Sequence, residues 1–264
     1  MFHYVFWLIA IVATAGIYIA SPTLSLLWLL PILAASIVGV IILFILFLFV
    51  SSRFMSQKKK VTRPNPFCTF MVHHTMAWVM DLLRIKITLK GTELLPDCPC
   101  ILVSNHRSGF DPMTVLAVLK GRKLSYISKD ANFKIPIVGN YLHHAGFFAI
   151  DRGNGMRAMR TLKQAGEMMN TAGVDIGIYP EGTRSKTGEL LRFRPGAFVL
   201  AKRADAPIVV MTTKGSEHIS KNAPFRSTKV ELEILGMISR EEIVAMEQDE
   251  ISARVRGMIE ENLK

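Results

Sequence analysis

Apolar residues fill the first fifty positions almost without interruption, and only then does the chain begin to alternate. Tyr4 to Ala20 forms one apolar run, Ser21-Pro22-Thr23 breaks it, and Leu24 to Val50 forms a second. The second run exceeds the roughly 20 residues that a helix needs to cross a hydrocarbon core. Pro31 is expected to kink it. Residues 67–84 are apolar again, and Phe67, Phe70, Met71, Trp78 and Met80 suit a helix lying at a membrane interface rather than one packed on a domain. From residue 85 short apolar runs alternate with helical stretches. Strands are expected at Ile85–Lys90, Cys100–Ser104, Leu124–Ser128, Gly146–Ile150, Asp175–Tyr179, Pro207–Thr213 and Val230–Ile234. Helices are expected at Pro112–Leu119, Gly155–Asn170 and Gly196–Arg203. Ser239 with Glu242 reads as a capping box, and Asp249 as the cap of a last helix ending near Leu263. This alternation predicts an α/β fold: a mixed, mostly parallel sheet flanked by helices, behind an N-terminal hydrophobic, membrane-anchoring helical hairpin.

Charge sharpens the division. Residues 1–50 hold no Lys, Arg, Asp or Glu, so the net charge of +11 belongs entirely to residues 51–264. Arg53, Lys58, Lys59, Lys60 and Arg63 follow the apolar runs directly. Positive charge beside a span marks the cytoplasmic side of the cell membrane, so the large domain is expected there. Two spans, or a hairpin dipping into one leaflet, give the same result. The cluster also attracts anionic headgroups, which accounts for the basic balance more simply than nucleic acid does. A cleaved signal peptide lacks support, because no basic segment precedes the apolar run and the run is too long. Cys68, Cys98 and Cys100 include no second Cys pair, which argues against a zinc site and for free thiols in a reducing compartment.

In open α/β sheets, ligands bind beyond the carboxyl ends of the strands. That rule gathers His106, Lys129, Asp151-Arg152 and Glu181-Gly182-Thr183-Arg184 at one edge. In "SNHRSGFDPM", Asp111 reads as a helix N-cap with Pro112 first in the helix, beside an ordinary histidine. It also reads as the carboxylate that holds one imidazole nitrogen while the other accepts a proton, and the two roles are compatible. In "YPEGTRS", the turn offers backbone N–H groups to an anion and Arg184 a planar fork for phosphate, while Glu181 would orient an arginine or a substrate hydroxyl. A surface turn with an Arg–Glu pair is the plainer alternative. In "GFFAIDR", Arg152 is either a second phosphate ligand or half of a strand-end ion pair with Asp151. His143 and His144 read as packing residues, and Lys129 is preferred to Lys134 because it ends a strand.

"NHRSGFD", "GFFAIDR" and "YPEGTRS", in this order, resemble the motif pattern of the glycerolipid (lysophospholipid) acyltransferases, nearest to the bacterial 1-acyl-sn-glycerol-3-phosphate acyltransferases. The resemblance spans about Ile85 to Val210, with a weaker fourth motif at "APIVVM". The hairpin over 1–50 fits this pattern; with the basic linker read over 51–66 and the interfacial helix over 67–84, it leaves an acyltransferase domain implied over 85–264. It implies a base at His106 held by Asp111, and phosphate and glycerol contacts at Arg152, Glu181, Gly182, Thr183 and Arg184; Lys129 joins them as a candidate from its place at a strand end. Pro207 is implied in positioning or in the acyl-donor site. The implied reaction moves an acyl group from acyl-CoA or acyl-carrier protein to the sn-2 hydroxyl of lysophosphatidic acid, giving phosphatidic acid for phospholipid synthesis. No metal or other cofactor is implied, and the implied partners are membrane lipids and the two substrates. A different lysolipid acceptor, a lysolipid or acyl-thioester hydrolase, and a non-catalytic lipid carrier are the rival readings.

Overall fold

The computed structural model describes residues 2–21, 23–151 and 153–264. The chain divides into two compact units, one ending at Ser56 and the other running from Gln57 to Lys264.

The first unit is a pair of apolar helices, α1 (Phe2–Ala20) and α2 (Leu29–Arg53). The Phe6 ring meets Phe44 edge-on at 4.9 Å, and the Thr14 hydroxyl oxygen lies 3.2 Å from that of Ser36, so the two helices run antiparallel. Thr14 donates to the Ala10 carbonyl at 2.8 Å, which satisfies a hydroxyl that lipid could not. Together with the short turn before it, α2 forms a 28-residue helical stretch, Leu26–Arg53, long and apolar enough to cross a membrane. Its Leu30, Ile42, Leu43 and Phe47 are exposed. Pro31, expected to kink this helix, sits in its first turn, where a proline's missing N–H has no helical partner to lose.

The second unit opens with α3 (Pro66–Leu82), which starts at Asn65, whose side chain accepts the Cys68 N–H at 3.1 Å. The chain then runs through β1 (Ile85–Lys90), β2 (Ile101–Ser104), α4 (Asp111–Val118), β3 (Leu124–Lys129), α5 (Asp130–Phe133), α6 (Val138–His144), β4 (Phe148–Ile150), α7 (Gly155–Ala172) and β5 (Asp175–Ile178). It continues with α8 (Val199–Ala204), β6 (Ile208–Lys214), α9 (Ile219–Asn222), β7 (Thr228–Ile238), α10 (Arg240–Ala245) and α11 (Gln248–Leu263). The seven strands form a sheet in the order β1-β7-β6-β2-β5-β3-β4. Strands β6, β2, β5, β3 and β4 are mutually parallel, and β7 turns antiparallel to β6 and carries β1 parallel to itself. The fold is therefore α/β, with a mixed, mostly parallel sheet.

Every residue of β2 and β5 is buried, as expected of central parallel strands covered on both faces, whereas the edge strand β1 exposes alternate positions. Ile101, Val103, Ile176, Ile208 and Val210 make one core with Leu162 and Met169 of α7, Leu200 of α8 and Ile251, Val255 and Ile259 of α11. The amino-end edge of the sheet is closed by Arg122, which holds Asp175 at 2.5 and 2.8 Å and donates to the carbonyls of Pro96 and Cys98. Cys100 lies beside this pair, and its thiol is pushed up by burial.

Several elements differ from the sequence reading. The helix expected at a membrane surface, α3, packs one face into the domain: Cys68, Met71, Val72, His73, Ala77 and Met80 are buried, while Phe67, Phe70 and Leu82 stay outside. Its apolar positions go all the way round, so periodicity could not tell a packed face from a lipid face. Helices α5 and α6 were not anticipated, because each is shorter than two full heptads and the segment contains Pro136. The helix expected at 196–203 begins as a tighter turn, Pro195–Phe198, before α8. The cap of α11 is Glu247, in a reciprocal box with Glu250, rather than Asp249.

Candidate active site

Because five strands run parallel, the loops after β2, β3, β4, β5 and β6 all leave from one edge of the sheet. Three of them, those after β2, β5 and β6, interlock around His106.

The loop after β2 is sewn to the end of β6. Asn105 donates to the Thr213 carbonyl at 2.9 Å and accepts the Thr213 N–H at 2.8 Å, so its amide extends the sheet by one pairing. His106 follows, and its Nδ1 lies 2.7 Å from Asp111 Oδ2. The same oxygen accepts the N–H groups of Arg107 and Ser108, both at 2.8 Å, and Oδ1 accepts the hydroxyl of Ser216. Asp111 is fully buried, and these hydrogen bonds satisfy both of its side-chain oxygens, which burial would otherwise leave without partners. Asp111 is not the helix cap that the sequence suggested. It is the first residue of α4, and its side chain folds back over the preceding loop instead of capping the N–H groups ahead. With the carboxylate accepting at Nδ1, the imidazole carries its proton there and presents a lone pair at Nε2. The ring remains 16% exposed, enough for a substrate hydroxyl to reach it.

Stacking fixes the plane of that ring. Tyr179 lies flat against His106, with centroids 4.2 Å apart, and Tyr126 lies flat against Tyr179 at 5.6 Å. Tyr126 of β3 stands opposite Gly177 of β5, and a Cβ at position 177 would lie 2.1 Å from the Tyr126 ring. Glycine is therefore required there for the stack to form. Neither tyrosine nor Gly177 was picked out from the sequence, because nothing local marks a ring as lying beneath a histidine.

The loop after β5 begins with a tight turn in which the Gly182 N–H donates to the Tyr179 carbonyl at 3.0 Å. Glu181 is 3% exposed and accepts the His106 N–H at 2.6 Å and the Leu191 N–H at 2.9 Å. Burial pushes its carboxyl above the usual range, against the pull of those two N–H groups. Sequence reasoning gave Glu181 an arginine or a substrate hydroxyl to orient. The structure gives it two backbone N–H groups, because the loops after β2 and β5 close over it. The Ser185 N–H also reaches the His106 carbonyl at 2.8 Å. Arg184 is exposed, and its Nη1 would lie 3.4 Å from a Cβ on Gly109, three residues beyond the histidine. Gly182 has φ +68°, and a Cβ there would meet the Nε of Arg194 at 2.9 Å. The second arginine therefore crosses the turn in the space that a side chain would fill. Arg194 was missed by the sequence reading; the only available signal was its place two residues before Gly196 in an otherwise apolar turn.

The remaining expectations fare unequally. Thr183 is exposed on the same turn. Lys129 ends β3, two strands from β2, and lines a separate cavity with Asp151. Asp151 accepts the Gly153 N–H at 3.0 Å and meets Arg157 at 3.4 Å. Arg152 lies outside the described residues. Pro207 precedes β6 and bonds through its carbonyl to the Ile101 N–H at 2.9 Å, at the amino-end edge of the sheet. Strand register puts it roughly 20 Å from the His106 end. His143 Nε2 donates to the Lys59 carbonyl at 2.8 Å, a structural hydrogen bond.

This geometry is accompanied by a sequence match: residues 86–214 fit the family described as "Acyltransferase". The match covers just under half of the chain. Its relatives include 1-acyl-sn-glycerol-3-phosphate acyltransferase beta of Homo sapiens, 37% identical over 142 residues, which are 53% of this chain and 51% of that protein. The chloroplastic 1-acyl-sn-glycerol-3-phosphate acyltransferase BAT2 of Brassica napus is 35% identical over 153 residues, 56% of this chain and 44% of that protein. The chain thus spans about half the length of these relatives. The crystal structure of the 1-acyl-sn-glycerophosphate acyltransferase PlsC from Thermotoga maritima superposes with a TM-score of 0.61 at 23% identity, covering 84% of this chain and 90% of that one. That likeness is one of fold. His106, Asp111, Glu181 and Arg184 all lie inside the acyltransferase-family stretch.

Proposed function

We propose that the chain transfers an acyl group from acyl-CoA or acyl-carrier protein to the sn-2 hydroxyl of 1-acyl-glycerol-3-phosphate, giving phosphatidic acid. One observation carries the reading: a histidine whose Nδ1 is held 2.7 Å from a fully buried carboxylate, on the sheet edge that also bears Arg184 and Arg194.

His106 Nε2 takes the proton of the acceptor hydroxyl as its oxygen attacks the thioester carbonyl. A C–O bond forms, the C–S bond breaks, and the thiolate leaves with the proton returned by the imidazolium. Asp111 stabilises the imidazolium in between. General-base assistance of this kind contributes about 10²–10⁴-fold, and holding the two substrates in register contributes more. Arg184 and Arg194 grip the acceptor's phosphate, for which planar guanidinium groups are suited. The apolar N-terminal helices anchor the enzyme in the membrane where its lipid acceptor resides, with the basic domain at the cytoplasmic surface.

An acceptor panel with labelled acyl-CoA and acyl-carrier protein tests the reading. Lysophosphatidic acid is expected to be acylated, and His106→Ala is expected to lower kcat by about 10²–10⁴-fold in a protein that still melts cooperatively. Thiol release that is indifferent to acceptor would make the chain a hydrolase, and wild-type turnover in His106→Ala would remove the base.

A further inference from the structure

The turn that joins α9 to β7 takes no part in the site described above, yet it carries Phe225, which is 85% exposed. The turn is built rather than loose. The Ala223 N–H donates to the Ile219 carbonyl at 2.9 Å, and the Arg226 N–H to the Asn222 carbonyl at 2.8 Å. The Asn222 side chain donates to the Thr228 hydroxyl at 3.1 Å. From just past the end of α3, Arg84 donates to the Phe225 carbonyl at 3.1 Å. Arg84 does so from a left-handed backbone, φ +58°, where glycine would sit more easily but could make no such bond.

Strand register sets where this turn stands. Strand β7 runs antiparallel to β6, and its Glu231 pairs with Lys214, the last residue of β6. Thr228 lies three residues earlier in β7, roughly 10 Å beyond that pair at about 3.3 Å per residue. Strand β7 is two strands from β2, so the turn projects past the edge that delivers His106, roughly 10 Å to one side. Leu82, two residues before Arg84, is exposed as well and adds a second apolar side chain. Arg84, Lys221, Arg226 and Lys229 are exposed around them, against Asp81 and Glu217. Among the described residues, no carboxylate pairs with Arg84, Lys221 or Arg226, and Glu217 meets Arg107 instead at 3.5 Å.

We propose that this turn is a second membrane contact, with Phe225 and Leu82 entering the interfacial layer of an anionic bilayer and Lys221 and Arg226 meeting its headgroups. The inference rests on the membrane attachment proposed above and not on the acyl-transfer chemistry. An apolar tip ringed by unpaired cations is complementary to a surface that is negative outside and apolar beneath. An acidic protein would match the charge, but it would also need a pocket for a protruding ring, whereas a bilayer takes the ring wherever it lands. The contact holds the His106 edge of the sheet towards the lipid.

The test uses the full chain in vesicles of phosphatidylcholine mixed with phosphatidylglycerol, or of phosphatidylcholine alone. An environment-sensitive fluorophore is attached through Phe225→Cys in a Cys98→Ser background, since Cys68 and Cys100 are buried. Val244→Cys is the control: Val244 is also exposed, but it lies on α10, which follows β7 at the amino-end edge. Brominated lipids in the mixed vesicles should quench the label at position 225 and not at 244. Arg226→Gln should cut the ratio of docked to undocked turn about fivefold, the equivalent of roughly 1 kcal/mol for one basic residue at an anionic surface, and neutral vesicles should cut it further. Equal quenching at both positions, or quenching indifferent to Arg226→Gln and to lipid charge, would overturn the proposal. So would a label that stays polar on vesicles and shifts only when acyl-carrier protein is added, which would make the turn a protein-docking site. A chain that does not sediment with vesicles at all sinks the anchoring reading too, whereas one that sediments with the label at 225 unquenched sinks this inference alone.

Discussion

At the scale of single residues, Asp111 carries more than its neighbours. It holds the imidazole, two loop N–H groups and the Ser216 hydroxyl with one buried side chain. Asn at this position keeps the shape but offers a single acceptor oxygen, and its amide would favour the wrong tautomer of His106. Asp111→Asn should lower kcat about 10²–10⁴-fold and cost about 1–3 kcal/mol of stability. Stopped-time assays and thermal melts check both, and an unchanged kcat would confine Asp111 to holding the loop. Glu181 makes a pH prediction. Its folded-state pKa is raised, so the folded protein binds more protons than the unfolded one as pH climbs above 4.5. This group's contribution to stability therefore falls as pH rises through that window. Glu181→Gln should remove that part of the slope in melts between pH 4.5 and 7, yet leave a protein less stable by about 1–3 kcal/mol, because an amide cannot accept both N–H groups equally. The Asp–His spacing was legible in the chain. Ser216 and Tyr179 were not, because each meets the site through pairing of strands far apart in sequence, and Arg194 was not, because it reaches Gly182 only as the long loop after β5 folds back.

At the scale of elements, the segment between Thr183 and Arg194 is held from outside. Arg256 of α11 donates to the carbonyls of Leu191 at 2.6 Å and Leu190 at 3.2 Å, is steadied by Glu260 and covers the Phe193 ring. Leu191 in turn donates to Glu181, which holds the His106 N–H. The C-terminal helix therefore holds the His106 loop through two intermediaries. Arg256→Met should lower the melting temperature by a few degrees, about 1–2 kcal/mol in a domain of this size. It should also lower kcat while leaving both KM values near wild type, and Arg256→Lys should recover part of the loss. A purely structural helix would lower the melting temperature and leave the kcat of the folded enzyme unchanged. All seven strands were legible as elements, since short apolar runs bounded by turn residues have few other readings. The length of β7 and the helices α5 and α6 were not, because edge pairing and tertiary contact stabilise them rather than their own periodicity.

At the scale of the whole molecule, apolar surface and charge lie in different units. Arg53 is the only charged residue before Gln57, so nearly all of the +11 belongs to the α/β unit. Two modes of membrane attachment follow, with different responses to salt. The full chain should stay with anionic vesicles in 1 M salt, because apolar burial is not screened. A fragment from Gln57 to Lys264 should bind the same vesicles at 0.05 M salt and release at 1 M, where the screening length falls to about 3 Å. Vesicle sedimentation checks both, and a fragment that stays bound at 1 M would show that the exposed Phe67, Phe70 and Leu82 of α3 insert on their own.

The sequence by itself determined the apolar N-terminus, the basic remainder, the α/β alternation and the spacing of a histidine from an aspartate five residues on. Each of these is local: a run, a period or a spacing within one turn of chain. Only the tertiary structure decided which face of α3 is buried and that Glu181 binds backbone. Only it put Pro207 at the far edge, Arg194 over Gly182, and a ring stack under His106 through a glycine on the neighbouring strand. The physical reason is strand order. Neighbours in the sheet come from distant stretches of chain, and no local pattern of hydrophobic and polar residues records which of them will meet.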